Sequence, residues 1–120
     1  MRRLFRRVGW AIAASPAALL ALLLLHAVHV RLVLGRWPRV YQDNPDTLLL
    51  RLHESVLVPF FIVTFSGVLL WGALSAVVAL LLPSARVTIL RQACVIGVAV
   101  LLLVLFWNLD TTGYIAWLAD

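Results

Sequence analysis

Three apolar runs dominate this chain and decide what it can fold into. They cover about residues 8–30, 56–82 and 86–107, and the second carries no charged side chain. A helix needs ~20 apolar residues to cross the hydrocarbon core of a bilayer. The first two runs meet that length outright. The third is uninterrupted only from Ala93 to Trp107; it reaches span length because Arg91 can extend its guanidinium to the interface. A soluble fold of 120 residues could not hide these runs, because small domains leave a large share of their surface exposed. Composition agrees: 64% of residues are hydrophobic and 12% charged, against ~45–50% and ~25% in soluble domains. Soluble globular and disordered chains are therefore excluded. The expected fold class is an all-α membrane protein, a single membrane domain over residues 1–120. It has three transmembrane helices, a short interfacial helix in the first connection (31–55) and an interfacial C-terminal segment (108–120).

The charges set an orientation. All ten basic residues are Arg, and four precede residue 8, directly ahead of the first run. That is where a membrane orientation signal sits. Three spans put the termini on opposite sides. One side then holds Arg2, Arg3, Arg6, Arg7, Arg86 and Arg91; the other holds Arg31, Arg36, Arg39 and Arg51. The bias puts the N-terminus in the cytoplasm and the C-terminus outside. The net charge of +5 does not imply nucleic acid as a partner, since a phosphate-tracking face would need Arg clustered on a water-exposed fold. A basic start ahead of an apolar run also marks secretory signals. This run is too long for one, and His26–Val30 offers no small-x-small cleavage site, so the first span is expected to stay uncleaved.

Local signals refine the picture. Pro16 falls inside the first span, where it removes a backbone hydrogen bond that membrane helices re-satisfy through neighbours. The connection holds two Pro, a Gly, an Asn and two Asp between residues 35 and 46, which is turn chemistry. Asp46 is the expected N-cap of the interfacial helix, which carries Leu48, Leu49, Leu50 and Leu52. Pro59 stands in the first turns of the second span. Pro83-Ser84 ends that span, and the third helix is expected from Ser84. Cys94 is expected as a small buried hydrophobe.

Several side chains carry candidate functions. Trp10, Trp37, Trp107 and Trp117, with Tyr41 and Tyr114, fall near span edges and read as an aromatic belt. Trp71 is mid-span and is expected to pack on small residues. Gly72 with Ala76 repeats a small residue at a spacing of four, which lets membrane helices approach closely. Both residues serve either packing within this chain or docking onto a partner membrane protein or a second copy, and the spacing does not choose between them. His26 and His29 share a helix face at the outer end of the first span, and His53 precedes the second. Imidazoles at one depth could hold haem or sense pH, but the favoured reading is interfacial histidines with wet polar tips, and no cofactor is expected. In the connection, Arg36, Trp37, Tyr41, Asp43 and Asp46 are interaction candidates. Arg36 and Arg39 could also pair with Asp43, Asp46 or Asp110.

The stretch Leu34-Gly35-Arg36-Trp37-Pro38, with Asn44-Pro45-Asp46 and the tail Asp110-Thr111-Thr112-Gly113-Tyr114 ending in Trp117, resembles small uncharacterised bacterial inner-membrane proteins. The resemblance covers about a quarter of the chain. It implies a multi-pass protein of the bacterial inner membrane and brings no activity with it; with the orientation read from the charges, the C-terminus is then expected to be periplasmic. The sequence carries no nucleophile–base pair, paired carboxylates, phosphate loop or metal motif, so an enzyme is not expected. The expected role is a structural or accessory subunit embedded in the lipid bilayer. The alternatives are a haem-holding redox anchor and an oligomeric pore.

Overall fold

In the computed structural model, residues 2–39 and 48–118 are described. Their order is α1 (Arg2–Leu34), α2 (Leu48–Leu81), a 3-10 turn (Pro83–Ala85), α3 (Arg86–Asn108) and α4 (Tyr114–Leu118); among the described residues there is no strand. α1 has 33 residues, a length of about 50 Å at 1.5 Å per residue. The molecule is a rod of 55 × 26 × 19 Å. Three helical stretches, Arg3–Leu34, Ser55–Leu81 and Pro83–Asn108, are long and apolar enough to cross a membrane.

α1 is the central helix. It packs along both α2 and α3, while α2 and α3 touch each other little. Its buried stripe runs Gly9, Ala13, Pro16, Leu19, Leu23, His26, Ala27 and Val30, the three-to-four spacing of one helix face. Most of the other large apolar side chains point outward; Leu32, Leu80 and Leu81 are each more than 70% exposed. Apolar side chains on the outside and a thin seam inside is the inverse of a soluble bundle. It suits a surrounding as apolar as the side chains themselves.

The register follows from contacts. A Cβ on Gly9 would meet Gln92 of α3, and Leu103 and Phe106 of α3 pack on the cluster containing Leu19 and Leu23. In each case the α3 residue stands about 83 positions after its α1 neighbour, so α1 and α3 run parallel and in step. α2 runs the other way: Trp71 lies at Gly9, and Leu57 lies at Leu19 and Leu23.

At two of the prolines that interrupt backbone hydrogen bonding, a side chain fills the gap. Pro16 leaves the carbonyl of Ile12 without its usual N–H donor four residues on; the Ser15 hydroxyl donates to that oxygen at 2.8 Å. α1 therefore continues through Pro16. Pro83 leaves the carbonyl of Ala79 in the same position, and Arg86 Nε donates to it at 2.9 Å across the turn. Gly35 ends α1 at φ 68°, a left-handed cap that glycine adopts without strain.

Four expectations change. The interfacial helix and the second span form one unbroken helix of 34 residues that contains Pro59, because nothing between Leu48 and Val58 breaks a helix that has already started. α3 begins at Arg86, after a 3-10 turn, rather than at Ser84. Cys94 is exposed rather than buried. The C-terminal segment does not lie free at an interface. Tyr114 and Ile115 of α4 are buried against Ala27 and Val30 of α1, so Tyr114 leaves the aromatic belt for the core.

Candidate functional site

At the end of the rod opposite the N-terminus, α4 closes over α1. The Tyr114 hydroxyl and His26 Nδ1 form a buried hydrogen bond of 2.6 Å. With the ring proton on Nε2 the hydroxyl donates; with it on Nδ1 the ring donates. The rings meet edge to face at 5.8 Å, and Phe106 of α3 stands 6.4 Å from the Tyr114 ring. Asp110 positions the segment. Its Oδ1 accepts from the backbone N–H of Thr112 at 3.1 Å and from the Thr112 hydroxyl, and its Oδ2 accepts from the Ile115 N–H at 2.6 Å. Burial pushes the Asp110 carboxyl up, but the bonds from the Thr112 side chain, Ile115 and Thr112 outweigh it and hold it below its ordinary value.

His26 and His29 differ in burial. His26 is fully buried and bonded to Tyr114, and His29 is half-buried one turn on. The backbone of His53 belongs to α2, but its side chain lies outside the described residues, as do Tyr41, Asp43 and Asp46 entirely. Among the described residues no three His, Cys, Asp or Glu side chains gather as a metal site. Arg36 and Trp37 are exposed. Arg36 Nη1 donates to its neighbour's carbonyl at 3.2 Å, and Arg31 lies 5.9 Å from the centre of the Trp37 ring, within cation–π range.

At the N-terminal end, Gly9, Trp71 and Gln92 bring the three long helices together. Trp71 is buried and stacks on Phe5 at 4.4 Å. It packs on Gly9, the small residue that the sequence reading expected but did not identify. A Cβ on Gly9 would run into the Trp71 ring and stand 2.6 and 2.8 Å from the Gln92 amide atoms. Gln92 is buried with neither amide atom hydrogen-bonded to protein. Sequence reasoning missed it; a glutamine one residue after Arg91 reads as part of a polar edge.

Gly72 and Ala76 face outward from α2, and among the described residues nothing lies within 4 Å of a Cβ on Gly72. Their spacing serves no packing against the described residues. Nearer α4, an apolar groove of about 540 Å³ opens between α2 and α3, lined among others by Val58, Phe61, Phe65, Leu103, Val104 and Trp107. Compared with known proteins, the chain matches no protein-family model, no curated protein and no solved structure.

Proposed function

We propose that this chain is an accessory subunit of the bacterial inner membrane. Its three long helices cross the bilayer, its Arg-rich end faces the cytoplasm, and α2 docks on another membrane protein. The observation that carries the reading is the outward face of Gly72 and Ala76. The two stand one helical turn apart and are exposed, with open space at Gly72. Small side chains on a lipid-facing helix let a second helix approach closely. The groove between α2 and α3 adds apolar surface further along α2, towards α4. One buried polar contact, His26 with Tyr114, ties the chain's own α4 to α1.

The test is purification of the tagged full chain in mild detergent, with mass spectrometry of whatever co-purifies. A stoichiometric membrane-protein partner is expected, and Gly72→Leu and Ala76→Leu should release it without changing helicity. Unchanged migration of both variants on a native gel sinks the docking role. A lone chain that assembles with itself and leaks dye from liposomes would replace it with a pore.

A further inference from the structure

α2 and α3 both pack on α1 but touch each other little, and the gap between them near α4 is the apolar groove. Leu19 and Leu23 of α1 form its floor. Phe61 and Phe65, whose rings lie 4.5 Å apart, stand on the α2 side, and Val104 and Trp107 on the α3 side. The lining is hydrocarbon and aromatic throughout. Its depth matches one leaflet of a bilayer. The groove begins where α3 ends: Trp107 lines it, Asn108 is the last residue of that helix, and the Asp110 turn follows. It runs inward as far as Phe65. Leu57 and Phe65 are eight residues apart on α2, about 12 Å of helix. Half of a ~30 Å hydrocarbon core is about 15 Å.

These dimensions select the occupant. A helix of a second protein is about 10–12 Å across and must cross both leaflets, whereas the groove serves one. A stable protein–protein interface takes about 20–30 residues from each side, and ten line the groove. An acyl chain is thin, apolar along its whole length, and reaches from the interface to the midplane as the groove does. We infer that the groove holds one acyl chain of a bilayer phospholipid. Its headgroup lies at the interface beside Trp107, where indole rings settle, and its chain runs inward over Leu19 and Leu23. Contact holds the chain there, because the surrounding lipid is as apolar as the groove. A chain in the groove meets protein on the floor and both walls, and each close carbon pair adds attraction. The inference rests on the reading that the three long helices cross the bilayer; it does not depend on a partner at Gly72 and Ala76.

The experiment loads the full chain with phosphatidylcholine in neutral detergent and then washes it in lipid-free detergent. Native mass spectrometry should find a phospholipid retained on each chain. Phosphatidylglycerol should be retained equally, since the acyl chain and not the headgroup makes the contact. Val58→Phe/Val104→Phe adds bulk inside the groove and should lower retention about tenfold. Val63→Phe/Val98→Phe makes the same change at exposed positions of α2 and α3 outside the lining and should leave retention unchanged. Circular dichroism checks that each variant folds. If the first variant does not fold, the unaltered chain is loaded with phosphatidylcholine carrying brominated acyl chains. Tryptophan emission should be quenched, and the quenching should be lost in Trp107→Phe. No lipid retained by the unaltered chain, equal loss in both double variants, or quenching that survives in Trp107→Phe would each overturn the inference. So would a Val58→Phe/Val104→Phe chain that keeps its lipid but loses a bound protein, since the groove would then be a protein interface. A chain that alkaline carbonate strips from membranes would overturn the bilayer-crossing reading as well; the other failures leave that reading standing.

Discussion

His26 and Tyr114 stand 88 residues apart in the chain and are joined by a buried 2.6 Å hydrogen bond. This bond and the packing of Ile115 tie α4 to the last turns of α1. Hydrogen bonds inside membrane bundles contribute about 0.6 kcal/mol on average, with a maximum near 1.7. Tyr114→Phe keeps the ring and removes the hydroxyl, leaving a buried imidazole nitrogen without that partner. It should cost about 1–1.5 kcal/mol. Amide exchange should rise in residues 114–118 before it rises in α1 or α3. Equal protection in both proteins would show that ring packing alone holds α4.

Asp110 makes the same attachment pH-dependent. Its carboxyl is held below the ordinary value of 3.8 by three hydrogen bonds that outweigh burial. A group with a depressed folded-state pKa contributes stability that is fully present above its ordinary value and is lost as the pH falls through its folded value. The Asp110 contribution to the exchange protection of α4 should therefore decline as the pH falls below about 4. Asp110→Asn should abolish that decline and weaken α4 at neutral pH. A wild-type profile that stays flat through pH 3 would contradict the assignment.

The legible part of this fold was what bulk hydrophobicity decides: three helices, their order and a turn at Pro83. What stayed hidden depends on which face of each helix meets which neighbour. The α1 stripe from Gly9 to Val30 is as apolar as the lipid-facing surface, so no polar-apolar alternation marks it. The spacing of Gly72 and Ala76 was visible, but not that it points away from the bundle. His26 reads from the sequence as an interfacial histidine with a wet tip but is fully buried; its partner lies in a tail whose polar Asp110-Thr111-Thr112 run suggests an exposed turn. That run is instead the cap that aims Tyr114 inward.

Gly9 and Gly72 should respond oppositely to the same substitution. Gly9→Ala drives a methyl into the Trp71 ring and the Gln92 amide. Trp71 cannot swing aside cheaply while stacked on Phe5, so overpacking should cost about 1–3 kcal/mol. Gly72→Ala meets open space and should be neutral or stabilising by up to about 1 kcal/mol, the helix propensity difference. Thermal midpoints in one detergent decide the matter. A neutral Gly9→Ala would mean that the three helices do not meet there.

Gln92 is buried without a protein partner for either amide atom. Such a group costs about 1–3 kcal/mol by mutational measures. Gln92→Met keeps similar length and removes the polar atoms. It should raise the unfolding free energy by about 1 kcal/mol or more, read from the thermal midpoint. A fall of similar size would show that the amide is hydrogen-bonded in the folded protein.

Ser15 should matter only because of Pro16. The serine hydroxyl donates to the carbonyl of Ile12 at 2.8 Å, the oxygen that a proline at position 16 deprives of its helical donor. In an apolar surrounding an unsatisfied carbonyl is costly, so Ser15→Ala should destabilise by about 1 kcal/mol. Pro16→Ala restores the backbone N–H at that position, and in this background Ser15→Ala should become nearly neutral. A double-mutant cycle measures the difference directly. A coupling near zero would mean that the Ile12 carbonyl is satisfied some other way, and the continuity of α1 through Pro16 would then owe nothing to Ser15.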